Sequence, residues 1–415
     1  MKMNFEIRPI LMAMLKNKTG PLLVATQVAL SLAILVNAIY IVNLRLQSSA
    51  RPSGVQDEQQ IFRVDIHNQI IGGPEDQIAM QKREADTIRS VPGVVSVARV
   101  NSVPVSQSGS NTGVFASRKQ VNSTASSAMY ISPDSLVKNW GLKLVEGRDF
   151  VSDEYIDVDA NTDNKYPENA IISLELARQL FPGQTYYVGK QFYFGSGDDA
   201  SSGRVVGVVE TLQTSSAPWG KDGEVSTIIP ARLTNDSFFG YSVRTQEGQI
   251  DRVMKDVAEA LRKSSPTPVN VETKKMSEMR TDRYRSERGL AWMLIAVSCL
   301  LVLVTASGIV GMSSLWVSQR TKQIGIRRAL GARKADILRY FLSENLMIST
   351  AGIAIGLMLA LGLNQLLVSQ FELSRLPVTY LWIAPFAFWV LGLLASFGPA
   401  WRASVISPAT ATRTV

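Results

Sequence analysis

The sequence predicts an α-helical membrane protein with four transmembrane helices and a large mixed α/β extracytoplasmic domain inserted between helices 1 and 2. Four apolar runs reach the roughly 20 residues needed to cross a hydrocarbon core about 30 Å thick. Between the first two runs lies a stretch of soluble composition that is long enough for one or two domains. Charged and apolar residues are therefore segregated along the chain, which is typical of a membrane protein.

The apolar runs define transmembrane helices over residues 21–44, 289–317, 343–369 and 377–400. The first run exceeds the apolar core of a secretory signal, which has about 7–15 residues, so we interpret it as a retained anchor. Because the central parts of the runs contain no Asp, Glu, Lys or Arg, a proton-coupled transporter is disfavoured. Residues 1–20 repeat apolar side chains at helical spacing and are predicted to form an amphipathic helix on the cytoplasmic membrane surface.

Basic residues flank the apolar runs in three segments, and cytoplasmic loops are the ones that carry such an excess. We therefore expect both termini, including the tail 401–415, to be cytoplasmic and residues 45–288 to lie outside. The formal charge of +8 then reflects topology and contact with membrane lipid, and does not indicate nucleic acid, which would require a basic face on a folded domain. The three flanking segments contain thirteen basic residues, which are Lys2, Arg8, Lys16, Lys18, Arg320, Lys322, Arg327, Arg328, Arg333, Lys334, Arg339, Arg402 and Arg413.

The external region alternates strand and helix patterns. Two Ser-, Asn- and Gly-rich stretches, 106–123 and 195–202, are predicted to be loops. No disulfide can staple this region, because Cys299 is the only cysteine and lies in the second apolar run. The predicted strands are 61–66, 94–100, 170–172, 204–210 and 225–229, and the predicted helices are 76–91, 174–180 and 249–262.

Enzymatic chemistry is not supported by the sequence. His67 is the only histidine, which excludes a multi-histidine zinc site, and we predict no catalytic residue and no metal site. The 415 residues contain no Gly-x-x-x-x-Gly-Lys-[Ser/Thr] phosphate loop. The chain is therefore expected to have no catalytic activity and no cofactor of its own.

The segment 318–342, between the second and third apolar runs, is too charged to enter lipid. It is predicted to contain a short helix at the cytoplasmic surface, and a soluble partner is expected to exert force on this helix. We expect Ile324, Ile326 and Leu330 to make its apolar contacts, and Arg327 and Arg328 its charged ones. A glycine, Gly331, is expected to end the helix.

Residues Arg320–Ile337 resemble the cytoplasmic signature of the MacB/FtsX-like permease family, Arg-Thr-x-Glu-Ile-Gly-Ile-Arg-Arg-Ala-Leu-Gly-Ala. Gln323 stands where the family usually has Glu, and Trp401 stands where a basic residue is common. The resemblance covers nearly the whole chain in family order. Further matches are Ile131–Asp134, Gly141-Leu142, Gly147–Phe150, Ala170–Ser173, Leu180–Gly183, Gly189-Lys190, Val205–Val209, Pro399–Ala403 and Pro408-Ala409.

This resemblance implies the permease subunit of a type VII ABC exporter in a bacterial inner membrane, working by mechanotransmission. It implies a separate ABC ATPase subunit that binds ATP and Mg, a second permease copy or a homologous permease, a periplasmic adaptor and an outer-membrane channel. The substrate would be a peptide, an antibiotic-like compound or a lipid-linked molecule. The residues implied in ATPase coupling are Gln323, Ile324, Gly325, Ile326, Arg327, Arg328, Ala329, Leu330, Gly331 and Ala332.

Two alternatives remain open at this stage. One is a lipoprotein-release permease, which needs a capture loop that the sequence does not reveal. The other is an FtsX-like signalling protein that controls a cell-wall hydrolase, and the large external region argues against it. Within the MacB-like periplasmic domain 45–288 we expect a membrane-proximal porter-like part over residues 57–105 and 204–275, a distal inserted part over 106–203, and a stalk over 276–288.

Small residues recur every four positions in two of the apolar runs, a spacing that lets helix backbones approach closely. Ala25, Ala29 and Ala33 form one stripe, and Gly352, Gly356 and Ala360 form the other. Packing within one subunit and a dimer interface are both consistent with such stripes. Because the family dimerises at the first span, we predict that the alanine stripe forms the dimer interface.

The stalk is predicted from charged residues that lead directly into the second apolar run. Arg283, Tyr284 and Arg285 precede it with neither Pro nor Gly before Gly289. A continuous helix here would carry displacement from the membrane to the external domain. The alternative is an ordinary charged helix end at the membrane interface, where Arg and Tyr are common.

Overall fold

A computed structural model describes residues 19–67, 72–159, 167–218, 220–234, 239–371 and 375–406. Most of the predicted N-terminal amphipathic helix and the last nine residues of the predicted tail lie outside these ranges. The chain divides into two compact units. The inserted unit comprises residues Ser48–Ser286, and the membrane unit comprises the residues before and after it.

The described residues form ten α-helices and thirteen β-strands. The helices are α1 (Thr19–Ala50), α2 (Pro74–Arg89), α3 (Leu136–Trp140), α4 (Leu174–Leu180), α5 (Ile250–Ser264), α6 (Met276–Arg283), α7 (Arg285–Gln319), α8 (Thr321–Ala329), α9 (Lys334–Phe371) and α10 (Val378–Val405). The strands are β1 (Ile61–His67), β2 (Val94–Val100), β3 (Ser110–Phe115), β4 (Ala125–Ile131), β5 (Leu144–Gly147), β6 (Ile156–Asp159), β7 (Asn169–Ser173), β8 (Gln191–Phe194), β9 (Ser201–Val209), β10 (Ser226–Ile229), β11 (Ala231–Thr234), β12 (Gly240–Thr245) and β13 (Asn270–Lys275).

Four helices, α1, α7, α9 and α10, are long and apolar enough to cross a membrane. They match the four predicted apolar runs, and the α/β domain lies between the first and the second of them, as predicted. The helices extend beyond the apolar runs because helical structure continues into the amphipathic flanks. The largest extension is at α9, which begins at Lys334 rather than at residue 343.

The two small-residue stripes pack against each other within the chain. A Cβ atom at Gly352 would lie 2.7 Å from the carbonyl oxygen of Ala25, and one at Gly356 would lie 2.9 Å from that of Ala29. Ala25, Ala29 and Ala33 are buried by this contact. Packing within one subunit therefore accounts for the contacts of Ala25 and Ala29, and the dimer interface stays a prediction.

The inserted unit contains a four-stranded antiparallel sheet with the strand order β13-β1-β12-β2. Helices α2 and α5 pack on it through a buried apolar cluster. Every second residue of β1 and β12 faces this cluster, including Phe62, Val64, Tyr241 and Val243. This is the alternation expected of a sheet covered on one face by helices.

A second sheet of the inserted unit has seven strands in the order β5-β9-β7-β10-β4-β3-β8, and β8 also pairs with β9. One of its strands, β3, lies in the stretch predicted to be a loop. Its residues Ser110–Phe115 are mostly polar, and pairing with β4 and β8 holds them in the sheet. The cross-strand hydrogen bonds therefore override the local composition.

The boundary predicted at residue 204 inside the inserted unit is also wrong. Strand β9 pairs in parallel with β7, and β10 pairs with both β7 and β4. Residues 204–229 thus belong to the seven-stranded sheet and not to the four-stranded one. The partition by sequence failed because parallel pairing joins strands that are distant along the chain.

The predicted continuous stalk helix is interrupted. Helix α6 ends at Arg283, Tyr284 has φ −97° and ψ 8°, and α7 begins at Arg285. The side chain of Tyr284 is buried in the core of the inserted unit, with the guanidinium groups of Arg280 and Arg283 at 6.0 and 5.4 Å from its ring centre. Burial of this side chain fixes the break at Tyr284.

Candidate coupling site

The predicted coupling segment contains one short helix, α8, between α7 and α9. Its start is tied to α9 by an ion pair. The Arg320 Nη1 atom lies 3.0 and 2.9 Å from the two carboxylate oxygens of Glu344, which is almost fully buried. The Thr321 hydroxyl donates to the carbonyl oxygen of Val317 at 3.0 Å. This bond adds to the backbone hydrogen bonds at the end of α7.

The end of α8 is a Schellman motif. Gly331 has φ +97° and donates its N–H to the Arg328 carbonyl oxygen at 3.2 Å. Ala332 donates to the Arg327 carbonyl oxygen at 3.1 Å. These two bonds satisfy carbonyl groups that the helix leaves without partners, and glycine adopts the required left-handed conformation at no steric cost. The predicted helix end at Gly331 is confirmed.

Helix α9 begins at Lys334, and a side chain of its own first turn caps its start. The backbone N–H of Arg333 donates to the Asp336 carboxylate at 3.0 Å, and this carboxylate also complements the helix dipole. The whole turn between α8 and α9 is therefore held by local hydrogen bonds.

One face of α8 is buried within the membrane unit. Ile324 is only 4% exposed and packs in a cluster with Ile337, Phe341, Ala400 and Ala403. We expected Ile324 to contact a partner directly, and this expectation is wrong because α9 and α10 already cover the side chain. Ile324 instead anchors α8 to the two helices beneath it.

The opposite face of α8 is open. Ile326 is 47% exposed and Leu330 is 84% exposed, four residues further along the helix. Lys322, Gln323 and Arg327 are exposed on the same face. Residues 322, 323, 326, 327 and 330 follow the helical spacing of i, i+1, i+4, i+5 and i+8, so the open face is continuous.

The charged groups of the open face are partly held in place. The Arg327 guanidinium carbon lies 4.9 Å from the ring centre of Tyr340 on α9, a cation–π distance that restricts where this cation points. The Arg328 Nη1 atom donates to the Ala332 carbonyl oxygen at 3.3 Å, so this side chain supports the turn after α8. Arg327 is therefore the arginine of the pair that is presented outward.

The C-terminal motif residues 399–403 lie on α10 beneath α8. Ala400 and Ala403 are buried against the α8 anchor, which explains why small residues occupy these positions. Trp401 is exposed and its ring stacks on Phe397 with ring centres 6.1 Å apart. The departure from the family pattern at Trp401 therefore changes the surface of α10 and leaves the α8 anchor intact.

Sequence reasoning missed Glu344 and Tyr340, which orient Arg320 and Arg327. Both lie on α9 more than ten residues after the cations that they contact. The available signal was a single acidic residue, Glu344, at the edge of an apolar run. Its partner was not predictable without knowing how α7 and α9 pack.

The stalk residues have contacts of a different kind. Arg283 donates to the carbonyl oxygens of Ser216 and Ala217 at 2.6 and 3.0 Å, inside the inserted unit. Arg285 forms an exposed ion pair with Asp282. His67 ends β1 as an exposed residue, and within the described ranges no three His, Cys, Asp or Glu side chains cluster closely enough to hold a metal ion.

Comparison with known proteins gives two family matches. Residues 28–260 match the MacB-like periplasmic core domain, and residues 295–408 match the FtsX-like permease C-terminal domain. The first match alone covers more than half of the chain, and the second contains the whole of α8 and its anchor.

Individual relatives are similar over more than half of the chain. The chain is 27% identical over 293 residues to a macrolide export ATP-binding/permease protein MacB of Agrobacterium fabrum, which covers 65% of this chain and 40% of that protein. The MacB protein of Chromobacterium violaceum is 26% identical, with the same two coverages. A pyoverdine export ATP-binding/permease protein PvdT of Pseudomonas syringae is 26% identical over 58% of this chain and 37% of its own length. The chain thus spans about 40% of the length of the relatives that it matches.

Proposed function

The chain belongs to the MacB/FtsX-like ABC transporter permease family, and we propose that it is the permease subunit of an exporter whose ATPase acts on the open face of α8. The observation that carries this proposal is the exposure of Ile326 and Leu330 on a helix whose other face is anchored. A leucine side chain that is 84% exposed gains free energy when a partner covers it. Arg327 beside it gives the surface a charge that suits an acidic groove.

The anchor determines what a push on α8 does. Ile324 binds α8 to Ile337 and Phe341 of α9 and to Ala400 and Ala403 of α10, so a force on α8 passes into both helices. The ion pair between Arg320 and Glu344 adds a second connection between the α7–α8 junction and α9. We infer mechanotransmission: closure of an ATPase dimer shifts α8, and the attached helices carry the motion toward the inserted unit.

ATP and Mg would bind the ATPase and not this chain. Support comes from the absence of a phosphate-loop motif in the 415 residues, since such a loop supplies the backbone cradle for the phosphates. We propose that an ABC ATPase outside these 415 residues supplies this activity. The relatives combine ATP-binding and permease functions under one name, which is consistent with the same pairing of the two activities.

Four apolar helices and the family indicate an inner-membrane protein. We propose that both termini and α8 face the cytoplasm and that the inserted unit is periplasmic, because the basic flanking segments follow the positive-inside rule. A second permease copy, a periplasmic adaptor and an outer-membrane channel complete the proposed exporter. Its proposed cargo is a peptide, an antibiotic-like compound or a lipid-linked molecule, in line with the macrolide and pyoverdine export named for the relatives.

Two other functions rank lower. The match of residues 28–260 to the MacB-like core does not favour an FtsX-like regulator of a cell-wall hydrolase. A lipoprotein-release permease shares the coupling apparatus, but no described loop of the inserted unit distinguishes it from an exporter.

Co-purification tests the proposal. The chain would be co-expressed with an ABC ATPase encoded beside its gene, purified in detergent and assayed for ATP hydrolysis with and without candidate peptides. We expect a stable complex whose hydrolysis rate exceeds that of the ATPase alone. The Leu330→Asp variant should lose the complex, whereas Val121→Asp, which alters a 91% exposed side chain of the inserted unit, should keep it. Failure of the unmodified chain to bind any such ATPase would contradict the proposal.

A further inference from the structure

The contact between α1 and α9 follows two stripes of small residues in matching register. Gly352 lies against the backbone of Ala25, and Gly356 lies against that of Ala29. The next position of each stripe is a buried alanine. Small residues let the two backbones approach closely and leave few side chains to interlock, so little side-chain packing opposes a shift of one helix along the other.

Each stripe ends in a buried asparagine. Asn37 stands four residues after Ala33, and Asn364 stands four residues after Ala360. Asn37 is 2% exposed and Asn364 is 6% exposed. Polar groups buried between membrane helices are normally hydrogen-bonded, because hydrocarbon offers them no other partner. The hydrogen bonds of these two amides therefore show how the contact is held.

Each of the two amides has one end with a partner and one end without. Asn37 Nδ2 donates to the carbonyl oxygens of Ala33 and Ala360, at 2.9 and 3.1 Å. Asn364 Oδ1 accepts from the Leu376 N–H at 3.1 Å. The acceptor Asn37 Oδ1 and the donor Asn364 Nδ2 are buried and have no partner within the described part of the chain. The two deficits are complementary, since one amide lacks a donor and the other lacks an acceptor.

The two asparagines lie at the same level of the helix pair. In an α-helix the carbonyl oxygen of residue i accepts from the N–H of residue i+4. The Ala360 carbonyl that receives the Asn37 amide is therefore the one that the Asn364 backbone N–H reaches. Helical side chains tilt toward the N-terminus of their helix, which directs the Asn364 side chain back toward that carbonyl. The two amides are thus neighbours across the contact.

We propose that the α1–α9 contact is a latch with two positions. In the first, described above, Asn37 Nδ2 binds the Ala33 and Ala360 carbonyl oxygens. In the second, α9 has shifted along α1 by about 1–2 Å, a usual displacement between packed helices, and Asn37 Oδ1 accepts a hydrogen bond from Asn364 Nδ2. The second position pairs two buried groups that are costly to leave unpaired. It gives up only the contact with the Ala360 carbonyl, which stays bonded within α9, while Asn37 Nδ2 keeps its bond to Ala33.

The latch lies on a helix that carries the α8 anchor. Ile337 and Phe341 of α9 hold Ile324, so a force on α8 reaches the α1–α9 contact through α9. This role in coupling rests on the proposed function. The latch itself is a property of the chain alone and is tested without an ATPase.

Side-chain amide NMR of the detergent-purified full chain, labelled with nitrogen-15 at asparagine, tests the latch. The signals of Asn37 and Asn364 are identified by their loss in Asn37→Ala and Asn364→Ala. We expect both signals to show relaxation dispersion with one shared exchange rate on the microsecond-to-millisecond timescale, from a second position populated at about 1% or more. Replacing either asparagine should reduce the exchange contribution at the other at least tenfold.

Asn345 provides the matched control. It is a buried asparagine of α9 whose amide donates to the Gly392 carbonyl oxygen of α10 at 2.8 Å, and Asn345→Ala should leave the exchange at Asn37 and Asn364 unchanged. The melting temperature of each variant reports whether it is folded. Where an alanine variant does not fold, serine takes its place, because a helical serine bonds to the carbonyl four residues earlier and leaves no buried group unpaired.

The latch is overturned if neither amide shows exchange, if exchange at one asparagine persists after the other is replaced, or if Asn345→Ala abolishes the exchange as well. None of these outcomes involves an ATPase, so each would leave the proposed function unaffected. Failure of an ATPase to bind the chain would in turn leave the exchange measurement unaffected.

Discussion

Replacing Leu330 with alanine separates docking from folding at α8. Complete burial of a leucine side chain is worth about 1.5–3 kcal/mol. Because 84% of this residue is exposed, a partner that covers it gains roughly 1.3–2.5 kcal/mol from the side chain by the same area scaling. Leu330→Ala should therefore weaken ATPase binding by between about eightfold and sixtyfold, since each 1.4 kcal/mol is a factor of ten.

The same substitution should leave the fold almost unchanged. Leu330 is the C-cap residue of α8, but only its backbone N–H takes part in the cap, so the loss of its exposed side chain should alter stability by less than about 0.5 kcal/mol. Ile324→Ala is the opposite case, because it removes buried atoms from the α8 anchor and should destabilise that anchor by about 2–5 kcal/mol. Leu330→Ala thus changes affinity without changing the melting temperature, and Ile324→Ala changes both.

The assay is titration of the detergent-purified chain with fluorescently labelled ATPase, in parallel with thermal melts of the chain alone. Leu366→Ala, on a similarly exposed leucine of α9, is the matched control and should bind like the unmodified chain. Equal ATPase affinities for Leu330→Ala and Leu366→Ala, with both proteins folded, would refute the assignment of the docking surface to the open face of α8.

The remaining predictions concern packing. Gly356→Val places a Cβ atom 2.9 Å from the Ala29 carbonyl oxygen and should cost about 1–3 kcal/mol of stability, seen as a lower melting temperature than for Gly362→Val, whose Cβ meets nothing within 4 Å. Equal melting temperatures would show that the two helices do not pack as described. Arg280→Met leaves the Glu58 carboxylate without two hydrogen bonds of 2.8 Å and should cost about 1.5–3 kcal/mol in urea unfolding. A double variant that adds Glu58→Gln should lose less than the sum of the single changes, and strict additivity would argue against this contact.

The long periodic elements were predictable from the sequence. The helix Leu174–Leu180 and the strand Val94–Val100 have the predicted bounds, because each is delimited by local signals. Ser173 caps the helix through its side chain, which accepts from the Leu176 N–H, and Pro92-Gly93 precedes the strand. Such signals act over a few residues and need no knowledge of tertiary contacts.

Features that depend on distant partners were not predictable. The assignment of β9 to the seven-stranded sheet depends on its pairing with β7. The burial of the alanine stripe depends on packing against α9, which lies more than 300 residues later in the chain. At the coupling site the sequence indicated the right helix and its end at Gly331. It could not show which apolar side chain faces inward, because Ile324 and Ile326 differ only in what α9 and α10 place beside them.

The contacts of Arg280 have a consequence for the modularity of this chain. Its guanidinium donates to the carbonyl oxygens of Ser49 and Arg51, at 3.2 and 2.9 Å, so the first and last segments of the inserted unit are bonded to each other. A domain whose two ends lie close together can be inserted into another protein at a single position. The inserted unit therefore has the geometry of a part that evolution or an engineer exchanges between membrane scaffolds as one piece.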